Sequence, residues 1–208
     1  SDDADSGWDP AAVSALGNAE TGLRYFKDTH NRSSFDNAGK PARSVVNVVG
    51  SSNGESAAWS AAEDVMLYGT GGERWNNVAI ALDVAGHELT HGVITYSSGL
   101  EYKNQSGALN ESFADIFGTM IERKNWIIGE DLDDPQGSLR DMAQPSTLGQ
   151  PGHMDDFRQL DIDIDDGGVH INSGIPNRAY YLLAEGLTVE NKGQSVGLAK
   201  AEKLAYQT

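Results

Sequence analysis

Two histidines and a glutamate fall within the five consecutive residues His87-Glu88-Leu89-Thr90-His91. On a helix, positions four apart lie on one face, so both imidazoles can reach a single ion. Glu88 then lies beside that ion, where its carboxylate can contact a bound water without being a ligand. Neutral imidazole nitrogens suit zinc, and the missing third protein ligand should be a carboxylate or another histidine. The spacing therefore indicates a zinc site with a base beside it.

A five-residue match can also arise by chance. An isolated match would usually mean two exposed histidines and a glutamate in a salt bridge. The next predicted helix, however, carries Glu111 and Asp115, which are again four residues apart. A carboxylate that accepts a hydrogen bond from a ligating imidazole fixes the orientation of that ring. Two helices with matched spacing make coincidence a poor explanation.

Helical periodicity predicts the elements that must hold these residues. Asp9 can cap a helix over residues 10–27, and Pro10 suits its first position. Further helices are expected over residues 82–96, 107–122 and 174–184, with a β-branched strand over residues 44–49. Residues 129–168 are rich in Asp, Pro and Gly and should form loops with short helices. The expected apolar face of the first helix consists of Val13, Leu16, Ala19, Leu23 and Phe26.

The composition of the chain argues against some classes of binding partner. The chain of 208 residues carries 31 acidic and 15 basic residues, for a net charge of −16. Such a charge argues against binding to nucleic acid or to an anionic membrane, whose phosphates would be repelled. No cysteine is present, so stability must come from packing, from bound metal or from both.

Five segments of the chain, in order and with similar spacing, closely resemble the thermolysin family of neutral metalloproteases. They are ALDVAGHELTHGV, SGLEYKNQSGALNESFADIFG, IGEDL, SLRDM and DDGGVHINSGIPNRAYYLL. The resemblance implies an α+β fold of two lobes, over residues 1–97 and 98–208, with the active-site helix at the floor of the cleft. It also implies a secreted zinc endopeptidase that acts on proteins and peptides.

The resemblance assigns catalytic roles residue by residue. His87, His91 and Glu111 match the ligands of one zinc ion, and Glu88 matches the general base. His170 and Tyr102 match two groups that assist catalysis. Asp165 matches the carboxylate that orients His170, and Arg140 matches the arginine that binds the substrate carbonyl. Asn110 and Asp115 match the hydrogen-bond partners of the two ligating histidines. His30 and His153 gain no such support and are interpreted as surface residues.

The family also implies a substrate cleft and a calcium site. The pocket for the residue after the cleaved bond matches Val78, Val84, Ile128 and Leu139, with Trp75 less certainly aligned. Trp59 belongs to the substrate-binding edge, where Ser56 stands in place of the usual asparagine. Oxygen atoms suited to one calcium ion come from Asp83, Glu122, Asn125, the Ile127 carbonyl and Glu130. The run of Asp161, Asp163 and Asp166 is interpreted as a solvated acidic face.

This chain is shorter than the catalytic domains of the family, in both its N-terminal sheet and its C-terminal helices. The last apolar stripe, over residues 198–205, suggests that the C-terminal lobe is incomplete and that a missing C-terminal segment covers the stripe. A propeptide is the other partner that the resemblance suggests. Two further hypotheses remain open. One is a metal-bound but inactive scaffold, and the other is an aminopeptidase, which ranks last because no acidic motif for anchoring a free amine is present.

Overall fold

The computed structural model describes residues 7–49, 56–72, 77–132, 137–186 and 194–207. Trp75 lies outside the described residues. The first half of the chain combines one long helix, a small sheet and the helix that carries His87, whereas the second half is mainly helical. This arrangement agrees with the predicted α+β class. The predicted division at residues 97 and 98 falls in the turn between the second and third helices.

Helix α1 spans Pro10–His30, and the Asp9 carboxylate accepts a hydrogen bond from the amide of Ala11 at its start. The apolar face expected from the sequence is only partly correct. Val13 and Leu16 are exposed, and the buried face consists instead of Ala11, Ala15, Ala19, Gly22 and Phe26. Small residues are needed there because a β-carbon on Gly22 would lie 2.7 Å from the side chain of Leu89.

Three short strands form one sheet with the order β1-β3-β2. Strand β1 spans Ser44–Val48, β2 spans Ala57–Ser60 and β3 spans Val65–Gly69. Strand β3 pairs in parallel with β1 and antiparallel with β2. The sequence predicted only β1, because β1 has three valines whereas β3 has one, and β2 lies in Gly- and Ser-rich sequence. Strand β2 is the edge next to the helix that carries the histidines.

Helix α2 spans Leu82–Thr95 and crosses helix α3, which spans Asn104–Glu122. The two backbones come unusually close. A β-carbon on Gly118 would lie 2.6 Å from the carbonyl oxygen of Asp83, and one on Gly86 would lie 3.2 Å from the α-carbon of Gly118. This glycine contact lets residues 87 and 91 on α2 face residue 111 on α3.

The remaining elements surround this pair. Residues 127–156 hold the two-stranded sheet β4 (Ile127–Ile128) and β5 (Arg140–Asp141) and short 3-10 helices, as expected for that loop-rich region. Helices α4 (Asp165–Asn172) and α5 (Gly174–Glu185) pack on α3. Of the helices described, none is long and apolar enough to span a lipid bilayer.

Helix α6 spans Leu198–Gln207 and packs its apolar stripe against α5 and α3. The interpretation of His30 as a surface residue is wrong. Its ring is half-buried and stacks on Tyr206 with the centroids 4.0 Å apart. Glu202 is buried beside it and accepts hydrogen bonds from Tyr25 and Arg123. His153 is exposed, as expected.

Candidate active site

The imidazoles of His87 and His91 converge from one face of α2. Their Nε2 atoms lie 2.9 Å apart. Glu111 reaches both rings from α3, with one carboxylate oxygen 3.4 Å from Nε2 of His87 and the other 3.3 Å from Nε2 of His91. The three side chains are nearly excluded from solvent. The two helices thus bring together the three residues that the sequence named as zinc ligands.

The other ring nitrogen of each histidine is held by an oxygen. Nδ1 of His87 lies 2.9 Å from Oδ1 of Asp115, and Nδ1 of His91 lies 2.8 Å from Oδ1 of Asn110. Because each oxygen accepts a hydrogen bond from Nδ1–H, Nε2 is the ring nitrogen that faces Glu111 and is left to bind a metal. Such partners fix the tautomer of metal-binding histidines.

This donor set fits zinc. Oε2 of Glu111 is fully buried and has no hydrogen-bond partner among the described residues, although a buried carboxylate oxygen normally has one. Ligands placed tetrahedrally at about 2.0–2.1 Å from zinc are about 3.3 Å apart. The two nitrogen-to-oxygen separations match that spacing, while the nitrogen-to-nitrogen separation is somewhat shorter. Two imidazoles and one carboxylate also leave a fourth position open for water.

Burial and charge shift the pKa values of these residues in opposite directions, and charge outweighs burial. Burial by itself lowers the pKa of His87, but the charge of Glu111 and the hydrogen bonds that His87 donates to Asp115 and Glu111 outweigh it and raise the pKa to about 10. Burial would raise the pKa of Glu111, yet the charges of the two histidines hold it well below its usual value. The apposed charges mark a site built for a cation, and a bound metal would displace the proton from the imidazole.

Asp115 is the centre of a buried hydrogen-bond network. Arg140 donates to both of its oxygens, from Nε at 2.7 Å and from a terminal nitrogen at 2.6 Å. Asn177 donates to Oδ2 from α5 at 2.8 Å. Burial raises the pKa of Asp115, but the charge of Arg140 and the hydrogen bond from His87 lower it to about 2. Arg140 thus lies at the wall of the cleft while holding the partner of His87.

Two cavities meet at Glu88, whose carboxylate lies within 4.8 Å of ring nitrogens of His87 and His91. The cavity of about 190 Å³ is lined by the four apolar residues that the sequence assigned to the pocket, together with Leu132, and Ser56 stands at its rim. The four are Val78, Val84, Ile128 and Leu139. The second cavity, of about 480 Å³, extends past His91 and Tyr102 along strand β2. Glu88 can therefore reach a substrate that lies across both.

His170 stands opposite Glu88, at the start of the right-handed part of α4. Residues 165–168 form one left-handed turn, with φ values of 52°, 49°, 83° and 87°. Glycine accepts this conformation readily, which explains the sequence Gly167-Gly168. The turn brings Oδ1 of Asp165 to 2.5 Å from Nδ1 of His170, and Oδ2 accepts hydrogen bonds from the amides of His170 and Ile171.

Tyr102 connects His170 to Glu111. Its hydroxyl donates to Oε1 of Glu111 and lies 3.2 Å from Nε2 of His170. Burial and the nearby charge of Glu111 raise the pKa of Tyr102 well above the usual value, so the phenol stays protonated and can donate. The structure therefore places Tyr102, His170 and Asp165 together on one side of the cleft.

Trp59 is placed less directly on the substrate path. Its indole packs on Gly92 of α2, where a β-carbon would lie 2.9 Å from the ring, and against Phe35 with the centroids 5.0 Å apart. It also lines the larger cavity. Trp59 therefore supports the edge strand β2 and also contributes to the wall of the cleft.

A second group of possible cation ligands lies at the far end of α2. Carboxylate oxygens of Asp83, Glu122 and Glu130 are all within 4.8 Å of one another. Burial, followed by the neighbouring acids, raises the pKa of Glu122 to about 7, and burial raises that of Asp83 to about 6. Asn125 donates to Glu130 and accepts from the amide of Ile127, so both residues lie beside the group. Lys124 forms an ion pair with Glu122.

Sequence reasoning missed two polar residues near the cleft. Asn177 contacts Asp115, and Gln150 donates to the carbonyl oxygen of His170 at 2.5 Å and to Ser173 at 3.2 Å. Asn177 follows His170 by seven residues, about two helical turns, which could have indicated a shared face. Gln150 lies in a loop with no periodic signal.

Comparison with known proteins places this geometry in a family. A family model described as the thermolysin metallopeptidase catalytic domain matches residues 1–95, and one described as the thermolysin metallopeptidase alpha-helical domain matches residues 98–208. The solved precursor of protealysin, a metalloproteinase from Serratia proteamaculans, has a TM-score of 0.76 and 30% identity, covering 97% of this chain and 79% of that one.

Curated relatives support the same family assignment. An extracellular elastase of Staphylococcus epidermidis is 41% identical over 95% of this chain. A bacillolysin of Brevibacillus brevis is 44% identical over 89% of it. The chain spans only 38% and 35% of the length of these two proteins. The fold is thermolysin-like, as the sequence predicted, and the buried histidine pair with its glutamate lies within the matched regions. The chain belongs to the thermolysin metallopeptidase family.

Proposed function

We propose that the chain is a zinc-dependent endopeptidase that hydrolyses internal peptide bonds. The observation that carries this proposal is the convergence of two imidazole Nε2 atoms on a buried carboxylate with an unpartnered oxygen. His87, His91 and Glu111 would hold the ion. When bound, zinc supplies a Lewis acid that lowers the pKa of a water from about 16 to about 7.

Glu88 is the proposed base. Its carboxylate takes a proton from the attacking water as the oxygen–carbon bond forms at the peptide carbonyl. When the carbon–nitrogen bond breaks, the same carboxylate delivers that proton to the leaving amine. The position of Glu88 between the two cavities allows one group to serve both steps.

His170 and Tyr102 are the proposed donors to the oxyanion that forms at the carbonyl. Both side chains face the larger cavity beside Glu111. In comparable sites, the loss of one donor costs about 3–4 kcal/mol of transition-state stabilisation. Asp165 would keep the ring of His170 aligned, and Arg140 would bind a substrate carbonyl from the opposite wall.

The smaller cavity is proposed to accept the side chain that follows the cleaved bond. Its apolar lining by Val84, Leu139 and the residues around them favours Leu, Phe or similar side chains. A library of blocked peptides that vary this position tests the preference. Equal cleavage before charged and apolar residues would contradict it.

A calcium ion is the proposed occupant of the group formed by Asp83, Glu122 and Glu130, because carboxylate oxygens at this density suit a hard cation. Secretion is proposed because relatives named extracellular elastase match most of the chain. Protein and peptide substrates are proposed partners. A propeptide remains another, since the solved relative is a precursor.

The decisive experiment is hydrolysis of an internally cleavable peptide with both ends blocked, with and without a zinc chelator. Glu88→Gln removes the base with little change of shape, and Glu101→Gln is the matched control because Glu101 is an exposed surface residue. Loss of activity with the chelator and in Glu88→Gln, but not in Glu101→Gln, supports the proposal.

Other outcomes select other hypotheses. Zinc binding without any hydrolysis favours the scaffold, and hydrolysis only of peptides with a free amino terminus favours the aminopeptidase. Full activity of Glu88→Gln would refute the proposed base.

A further inference from the structure

Asn177 is a buried side chain near the cleft that the proposed mechanism does not use. It lies on α5 and is completely excluded from solvent. Its Nδ2 atom donates to Oδ2 of Asp115 at 2.8 Å. The nitrogen must face Asp115 because a carboxylate can only accept, so the orientation of the amide is determined by chemistry. Its Oδ1 atom is buried without a hydrogen-bond partner among the described residues.

The carboxylate of Asp115 is fully buried, and protein groups donate to both of its oxygens. It accepts four hydrogen bonds, from His87, from two nitrogens of Arg140 and from Asn177. Oδ1 receives His87 and one nitrogen of Arg140, while Oδ2 receives the other nitrogen and Asn177. Without Asn177, Oδ2 would rely on Arg140 alone, and the carboxylate could rotate away from His87.

The neutral amide matters as well as its position. A second cation at this place would compete with His87 for the negative charge of Asp115, whereas an amide satisfies the oxygen without adding charge. Asp115 then keeps the Nδ1–H of His87 as a donor and leaves Nε2 free for a metal. Leaving a buried polar group unsatisfied typically costs about 1–3 kcal/mol, so the oxygen that loses its donor would reorganise.

We infer that Asn177 is a positioning residue for the zinc site, which acts through Asp115 on the orientation of His87. The inference rests on the proposed zinc site but not on hydrolysis. Asn177 would also connect helix α5 to the metal site, because its backbone amide donates a 3.0 Å hydrogen bond to Ser173 in the first turn of that helix.

The test is zinc affinity, measured by competition with a chromogenic chelator. All proteins carry Glu88→Gln, so that peptide hydrolysis does not interfere. Asn177→Leu keeps the volume and removes the donor, and Asn177→Ser cannot overpack the site if the leucine variant folds poorly. Both are expected to weaken zinc binding about 10–100-fold, the effect usual for partners of metal-binding histidines.

Asn172→Leu is the matched control. Asn172 is an equally buried asparagine that makes two 3.0 Å hydrogen bonds to the backbone of Arg158 and none to Asp115. Its loss should lower the melting temperature without changing the zinc affinity. In an Asp115→Asn background, Asn177→Leu should have a much smaller effect on the affinity.

The outcomes separate two failures. If the Glu88→Gln parent binds no zinc, the proposed function fails. If the parent binds zinc and both Asn177 variants bind it with unchanged affinity, Asn177 is merely structural and the inference is overturned.

Discussion

The hydroxyl oxygen of Tyr102 lies 3.2 Å from Nε2 of His170 and donates a hydrogen bond to Oε1 of Glu111. One phenol therefore contacts both a proposed metal ligand and a proposed oxyanion donor. Tyr102→Phe should lower kcat about 10²–10³-fold, because one oxyanion donor is lost. KM should change little.

The measurement is steady-state kinetics on a blocked peptide, together with zinc content after dialysis. Tyr181→Phe serves as the control, because Tyr181 packs against Trp126 away from the cleft. An unchanged kcat in Tyr102→Phe would remove Tyr102 from the mechanism.

Gly118 tests the contact between α2 and α3. Gly118→Ala should destabilise the protein by about 1–3 kcal/mol, because the new methyl group would overlap the carbonyl oxygen of Asp83 and push the helices apart. Gly17→Ala is the control, since a β-carbon there meets nothing within 4 Å. It should stabilise α1 by about 0.5–1 kcal/mol. Urea unfolding of both variants gives the comparison, and equal effects would contradict the close approach.

Calcium should stabilise the fold through the group at Asp83. At a calcium concentration a hundredfold above Kd, one site contributes about 2.7 kcal/mol. The melting temperature should therefore rise with added calcium in the parent and much less in Glu122→Gln. Asp163→Asn, at an exposed carboxylate of the acidic face, should respond like the parent. A melting temperature independent of calcium would exclude the site.

His30 should make the free energy of unfolding depend on pH in the mildly acidic range. Burial lowers the pKa of its imidazole in the folded protein below the usual value of about 6.5. As the pH falls below about 6.5, the unfolded chain takes up a proton that the folded protein resists, so stability decreases with decreasing pH. Parent and variant are compared in the same chelator-treated state, so that titration of the metal site contributes equally to both.

Urea midpoints between pH 5 and 7.5 measure this effect. His30→Gln should make the decrease smaller, and His153→Gln, at an exposed histidine, should leave it unchanged. If the urea midpoint falls equally steeply with decreasing pH in His30→Gln and in the parent, His30 is not the source of the pH dependence.

The sequence predicted most of the helices and brought together the residues of the site, because helical spacing is local. The strands around Trp59 and Val65 were missed because they carry almost none of the β-branched residues that marked the first strand. The burial of His30 could not be predicted either. Its stacking partner Tyr206 comes from the far end of the sequence, and packing between distant segments overrides local pattern.

Asn177 and Gln150 were missed for a related reason. Nothing in the type or spacing of an isolated amide shows which carboxylate or carbonyl it will meet. By contrast, His170 and Tyr102 were found only through the resemblance to a family, because each is a single residue without a paired neighbour.

Residues 165–168, at the start of α4, form a left-handed turn, and the right-handed part of the helix that carries His170 follows it. As a result, one carboxylate, that of Asp165, both starts that helix and aligns the imidazole. The start of the helix and the orientation of the His170 ring therefore depend on the same carboxylate. We expect fraying of this first turn to release the ring from the orientation that the proposed mechanism needs.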